Sequence, residues 1–237
     1  MNCLLIEPEE FGQTDDRVRI TGRRRRHAEE ILRATVGDSL RVGVVGGRLG
    51  TARVLRLDGD ALELEITLDR DPLPKRALEI VLALPRPPVF RRLVSTIASL
   101  GAERLLVVGT GRSEKSFWQS RVLEPEAIRE RLLLGLEQAS DSILPTVELQ
   151  RYFEPLVEEV LPPRLVGRRG LLAHPAASRA CPHSVEEPVT LFVGPEGGLL
   201  DYEVEKLEGI GFEAVDLGPR VLRVEPVIPM LVGRLFD

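Results

Sequence analysis

The residues best suited to chemistry lie in the stretch Gly194-Pro195-Glu196-Gly197-Gly198. It follows the apolar run Val189 to Val193 and precedes a helix-like segment, Asp201 to Glu208. A strand, a tight turn and a helix in that order leave backbone N–H groups uncommitted where a ligand can reach them. Glycine tolerates positive φ and lets another molecule approach the backbone, so Gly197 and Gly198 suit a crowded turn. An ordinary strand-to-helix connection would use the same residues, and on these five alone the two readings stand level. No Gly-Lys-Ser/Thr follows, and the G-x-G-x-x-G spacing is missing, so the stretch is neither a Walker loop nor a dinucleotide fingerprint. The second chemical feature is basic. Arg23, Arg24, Arg25 and Arg26 are consecutive, and between Arg17 and Arg33 seven arginines stand against only Glu29 and Glu30. Such a cluster binds phosphate or forms a solvated face, with equal weight from sequence.

The elements that must position these residues fall into two regions. Up to about residue 70 the chain reads as short strands, Arg41 to Val45, Thr51 to Leu55 and Ala61 to Leu68, with turns at Gly46-Gly47 and Asp58-Gly59-Asp60. A helical segment, Arg26 to Thr35, interrupts them with Ile31 and Leu32 as its apolar members. Closely spaced short strands predict a small barrel. The charged, proline-containing Asp69 to Lys75 marks a domain boundary.

From Leu78 onward strands alternate with helices. Leu78 to Leu84, Leu105 to Val108, Thr146 to Leu149, Gly170 to Ala173, Val189 to Val193 and Ala214 to Leu217 read as strands. Helical stripes run over Phe90 to Ala98 and Ile128 to Ala139, and Phe153 to Val160 and Asp201 to Glu208 are further helices. The alternation predicts an α/β domain with a mostly parallel sheet. Ligands bind such sheets beyond the carboxyl ends of the strands. Three loops meet that condition: His174 to Ala177, Gly194 to Gly198, and Gly218 to Arg223.

The chain has 237 residues, 43% hydrophobic and 29% charged, as in soluble globular proteins. No apolar run approaches the roughly 18 residues that cross a bilayer. Met1 to Glu10 is acidic and lacks a basic n-region, so no secretory signal and a cytoplasmic location are expected. Cys3, Cys181, His27, His174 and His183 have neither disulfide-framework nor metal-ligand spacing, and no metal is expected. The net charge of −5 says little about nucleic acid, because local patches decide.

Read together, the loops resemble a known family. LFVGPEGG (Leu191 to Gly198) and LGPRVLRVE (Leu217 to Glu225) look like the cofactor-binding motifs of the ribosomal RNA small-subunit methyltransferase E family, of the SPOUT class of knotted methyltransferases. HAEEILRATVGD (His27 to Asp38) resembles its N-terminal motif. ERLLVVGTGRSEKSFWQS (Glu103 to Ser120) and GLEQASDSILPTVEL (Gly135 to Leu149) resemble its middle segments. The resemblance implies a PUA-like or OB-like RNA-binding barrel over residues 1–71 and a SPOUT methyltransferase domain over 75–237. The C-terminus of that domain would thread a trefoil knot, a rarity among folds. It further implies a homodimer, with S-adenosylmethionine as cofactor. Small-subunit (16S) ribosomal RNA, free or in the assembled subunit, would be the partner, methylated at N3 of a uridine.

Carried over residue by residue, the resemblance assigns the cofactor pocket to Leu172, Ala173, Gly194, Glu196, Gly197, Gly198, Leu217, Gly218 and Leu222. Glu225 and Glu196 are the carboxylates of the matched motifs. Each can act as a base or fix a loop through backbone N–H groups, and the structural role is favoured for Glu196. Arg223 and Arg112 suit phosphate, or charge on the uracil oxygen as N3 loses its proton, so Arg223, Glu225 and Arg112 form the catalytic set. Arg23, Arg24, Arg25, Arg26, His27 and Arg33, with Arg91 and Arg92, are the expected RNA contacts. The chain departs from the family where Pro226 and Val227 follow Glu225 in place of Thr-Ala, and Pro229 conflicts with a helix that starts early. A lysine that the family often carries near Pro88 is also missing. Two alternatives remain: an RNA-binding protein of this fold without turnover, and a SPOUT methyltransferase acting on another RNA.

Overall fold

The computed structural model describes residues 2–11 and 16–236. The end residues of the two expected domains, Met1 and Asp237, and residues 12–15 of the first lie outside the described residues. The chain divides into two compact units. One comprises the residues up to Pro74 together with Leu133–Leu144, and the other Lys75–Leu132 with the residues from Pro145 onward.

The first unit contains β1 (Leu4–Ile6), β2 (Arg17–Ile20), α1 (Gly22–Glu30), β3 (Ser39–Val44), β4 (Leu49–Leu57) and β5 (Leu62–Arg70). Its sheet has the order β1-β3-β4-β5-β2, antiparallel except where β1 lies along β3. Period-two alternation builds the core: β2 buries Val18 and Ile20 and exposes Arg17 and Arg19. Leu4, Ile6, Val42, Val54, Leu62 and Leu64 complete it. The helix lies earlier than its expected span of Arg26 to Thr35. It ends at Glu30, and Ile31 and Leu32 are 66% and 41% exposed beyond it. Arg33 adopts φ +52°, which stops the helix. Arginine is a good helix former, so the run Arg23 to Arg26 sits inside α1 without any apolar stripe to announce it.

Segment Leu133–Leu144 joins this unit through the backbone. The Glu137 carbonyl accepts the N–H groups of Asn2 (2.9 Å) and Cys3 (3.1 Å). The Ser142 hydroxyl donates to the Gly47 carbonyl at 2.5 Å, and the Gly46 N–H donates to the Ser142 carbonyl at 2.8 Å.

The second unit contains β6 (Arg76–Ala83), α2 (Pro87–Ser99), β7 (Ala102–Val108), α3 (Pro125–Ala139, whose end belongs to the first unit) and β8 (Thr146–Gln150). It continues with α4 (Phe153–Pro155), α5 (Leu161–Leu165), β9 (Arg169–Ala173), β10 (Val189–Val193), α6 (Asp201–Gly209), β11 (Phe212–Val215) and α7 (Val224–Leu235). Its six strands are all parallel, in the order β11-β9-β10-β6-β7-β8. The chain runs outward from β6 through β7 and β8, then returns to the far side of β6, so the strand order reverses between β6 and β10. Val193 pairs with both Leu82 and Ala173, and Ala173 pairs with Val215. The carboxyl ends of β6, β10, β9 and β11 are therefore level, and their loops emerge side by side. Beneath them Phe192 is fully buried, edge-on to Phe153 (6.4 Å) and Phe212 (6.2 Å).

Three local differences from expectation have physical causes. The helix expected over Phe153 to Val160 continues to Leu165 through a π-turn, Leu156–Val160. Pro162 and Pro163 have no N–H to give the preceding turn, and Leu161 donates instead to the Leu156 carbonyl, five residues back. β11 ends two residues before the expected Leu217, because Asp216 leaves the strand to bridge Ala180 and to accept the Gly218 N–H (2.9 Å). α7 starts at Val224 and still admits both prolines. Pro226 falls in the first turn, where an N–H has no helical acceptor anyway, and Pro229 leaves the Glu225 carbonyl without its helical donor.

Candidate functional site

Loops beyond β9, β10 and β11 enclose a cleft of about 570 Å³, within the range of small-molecule sites. Its floor is the turn after β10. The Gly198 N–H donates to the Pro195 carbonyl at 2.8 Å and closes that turn, and Gly198 takes φ +74°, which a side chain would strain. Val193, Leu199, Val215, Leu217 and Leu222 supply apolar surface, and His174, Asp201, Asp216, Arg112, Arg220 and Arg223 supply the polar groups. Arg112 arrives on the loop after β7. Its Nη1 donates to the Gly197 carbonyl at 2.9 Å, so one guanidinium is fixed to the glycine turn. Backbone groups, apolar walls and a few charged side chains are the makings of a site for a small polar organic ligand.

Most residues carried over from the family motifs come together here. Ala173, Gly194, Glu196, Gly197, Gly198, Leu217, Leu222, Arg112 and Arg223 line the cleft. Leu172 does not; its side chain is fully buried in the core with Phe192 and Phe212. Gly218 shapes the β11 loop at φ +116° without lining the cleft. Glu196 is exposed, and its nearest bond is a long one of 3.4 Å from the Arg86 N–H. Sequence reasoning missed His174, Asp216 and Arg220 as lining residues, although all three sit in or beside the loops already singled out.

Glu225 stands beside the cleft rather than in it, and it is paired. Arg92 Nη2 on α2 donates to Glu225 Oε1 at 2.7 Å. That bond, followed by the backbone N–H of Glu225 itself, holds the carboxyl below its ordinary value of 4.5. A carboxylate stabilised in its charged form is a weaker base, so the geometry favours a clamp between α2 and α7. Arg92→Ala is expected to move the Glu225 titration midpoint upward toward 4.5 in a carboxyl NMR titration. A midpoint that stays put would remove the pair as its cause. The pair stabilises the fold above the unfolded carboxyl value and loses its effect as pH falls through the lower folded midpoint. Arg92 is 61% exposed, so the contribution is under ~1 kcal/mol.

The arginine run of the first unit is largely committed internally. Arg23 Nη2 lies 3.0 Å from the carboxyl of Glu137, which is 1% exposed. Burial pushes the Glu137 pKa up, and Arg23 opposes it. Arg24 bonds Glu10 and the Leu5 carbonyl. Arg25 is buried, on the Asp58 carbonyl (2.8 Å) and Glu29 (2.7 Å). Arg26 and Arg33 are exposed, His27 is half-buried, and Arg91 is exposed on α2. The alternating pattern of β2 to β4 also exposes Arg19, Arg41 and Arg53, which were not among the expected RNA contacts. Both cysteines are buried, and burial pushes the Cys3 thiol up to about 12 and raises Cys181 as well, so neither is poised to react. Among the described residues no group of three or more His, Cys, Asp or Glu side chains is arranged to hold a metal, and no helix is long and apolar enough to cross a membrane.

An all-parallel sheet with a cleft at its carboxyl edge, walled by the glycine turn and the β11 loop, accords with a family match. The model of the RNA methyltransferase domain matches residues 71–234, and the chain belongs to that family. Within it, the chain is similar to proteins named ribosomal RNA small subunit methyltransferase E, the family its motifs pointed to. The Treponema pallidum (strain Nichols) protein is 26% identical over 236 residues, covering 95% of this chain and 86% of that one. The Synechocystis protein is 27% identical over 224 residues, 93% of this chain and 72% of that one. A crystal structure of the Neisseria gonorrhoeae protein, bound to S-adenosyl methionine, superimposes with a TM-score of 0.72 at 21% identity. It covers 97% of this chain and 95% of that one, a likeness of fold.

Proposed function

We propose that the protein is an S-adenosylmethionine-dependent methyltransferase acting on N3 of a uridine in small-subunit ribosomal RNA. The observation that carries this is the cleft, where the two motif loops meet level with the carboxyl edge of a parallel sheet. The residues present fit the cofactor. Gly194, Gly197 and Gly198 offer a close backbone approach, Leu217 and Leu222 offer apolar faces, and Arg112, Arg220 and Arg223 offer charge for a carboxylate end. When bound, the cofactor supplies an electrophilic methyl group on a sulfonium, and the protein supplies binding and orientation. Orientation of that kind accounts for roughly 7–11 kcal/mol of a barrier. Uridine N3 lies on the Watson–Crick edge and carries a proton, so the base must be unpaired to react. Arg112 and Arg223 are exposed on the rim and suited to the uracil oxygen that gains charge as the proton leaves.

The same reading makes residues 75–237 a SPOUT domain with a C-terminal trefoil knot and residues 1–71 a PUA-like or OB-like RNA-binding barrel. In this reading the protein is a cytoplasmic homodimer. Because Arg23, Arg24 and Arg25 are committed internally, Arg26, Arg33 and Arg91 are the stronger RNA candidates of the original set. Glu225 and Pro226 keep one alternative in view, a protein that binds cofactor and RNA without turnover, since the pairing with Arg92 weakens Glu225 as a base. Calorimetry with S-adenosylhomocysteine tests the pocket: saturable binding of one molecule per chain is expected, and no heat at millimolar ligand would refute it.

A further inference from the structure

We propose that Glu203 is a positioning residue that holds Arg112 against the wall of the cleft; this rests on reading the cleft as the cofactor site. Glu203 lies in the first turn of α6 and is fully buried, 0% exposed. Its two carboxyl oxygens are divided between two loops. Oε2 accepts the N–H of Leu200 at 2.8 Å, and Oε1 accepts the N–H of Gly111 at 2.7 Å. The first bond is the usual business of a helix-capping glutamate, which satisfies a donor at the start of its own helix. The second is not needed by any cap. It reaches a loop 92 positions away in sequence, the one that follows β7.

Arg112 is the next residue of that loop. Its guanidinium is exposed and bonded to the Gly197 carbonyl, and its side chain packs on Gly197 and Gly198. A long exposed side chain is held in place only as well as its backbone is, and a misplacement of about 1 Å at a reacting centre can lower a rate by about 100-fold. A buried carboxyl group with both oxygens satisfied by backbone donors is a stiff bracket, since breaking either bond strands a polar group away from water. Gly111 permits the close approach: a Cβ there would lie 2.4 Å from Leu200 Cδ1. Glu203 thereby ties the start of α6 to the Arg112 loop, and Arg112 ties that loop to the glycine turn.

The test compares S-adenosylhomocysteine affinity by calorimetry, and Tm, for the full-length wild type, Glu203→Gln, Arg112→Ala and the double variant. Glutamine keeps the size of the side chain but turns an N–H donor toward one of the two backbone donors, so one bond is lost. Each single variant is expected to weaken binding about tenfold, as loss of a charge-assisted hydrogen bond does. In the Arg112→Ala background, Glu203→Gln should lower Tm as before yet change affinity by less than about twofold. Equal affinity losses in both backgrounds, or full affinity in Arg112→Ala, would overturn the proposal. Should Glu203→Gln fail to fold, Gly111→Ala decides: it should lose affinity by pushing the loops apart, and adding Leu200→Ala should restore it. Failure of either step counts against the bracket. A wild type that binds no S-adenosylhomocysteine overturns the cofactor reading and this role with it. A wild type that binds while the variants act additively overturns the role alone.

Discussion

Gly197→Arg is expected to abolish S-adenosylhomocysteine binding while leaving the protein folded. Gly197 lies outside the left-handed region, so any residue can adopt its backbone conformation. A Cβ there would meet the Arg112 Cβ at 3.4 Å, a tight but tolerable contact. The new side chain extends from a residue that lines the cleft and crowds Arg112, which bonds the Gly197 carbonyl. Affinity should fall by at least ~100-fold, equivalent to about 2.7 kcal/mol. Gly197 is exposed, and exposed substitutions away from caps and cores usually change stability by under ~0.5 kcal/mol, so Tm should move by no more than a degree or two. An unchanged isotherm would show that the ligand does not occupy this turn.

Phe192→Ala should produce the largest loss of stability. The ring is fully buried at the centre of the second unit, edge-on to Phe153 and Phe212, on the strand that ends at Gly194. Truncation removes the transfer energy of the ring and leaves a cavity that a packed parallel sheet cannot collapse, at a cost of about 3–5 kcal/mol. For a unit of this size that corresponds to a fall in Tm of roughly 10 °C. Phe192→Leu should cost far less, about 1–1.5 kcal/mol, because it keeps most of the volume. Thermal denaturation of the two variants checks the pair. A loss below about 1 kcal/mol in Phe192→Ala would contradict the packing beneath the cleft.

These two positions illustrate what the amino-acid sequence discloses and what it hides. Val189 to Val193 was legible as a strand, because four apolar residues and one threonine ending at a glycine turn admit little else, and its bounds are those observed. The alternation from Leu78 onward was enough to expect a parallel sheet and to look at its carboxyl edge. β1 and β2 escaped notice because they are three and four residues long, and β2 alternates arginine with its apolar residues. The arginine run was legible as charge but not as use. Local composition cannot tell that Glu137, more than 100 positions away, consumes Arg23, or that Arg25 is buried on the Asp58 carbonyl. Helical periodicity likewise gave no sign that Leu133–Leu144 belongs with the first unit, since the stripe continues while the partner changes. The motif loops survived this test because glycine turns at strand ends are local features. Glu203 did not, because its significance lies in two bonds to loops rather than in any spacing.

Methylation of uridine N3 is tested by mass spectrometry of nucleosides from small-subunit ribosomal RNA, taken from cells with and without the gene. 3-Methyluridine is expected to be present with the gene, lost without it, and returned by the wild-type protein but not by Gly197→Arg. A 3-methyluridine level that is the same with and without the gene would contradict it.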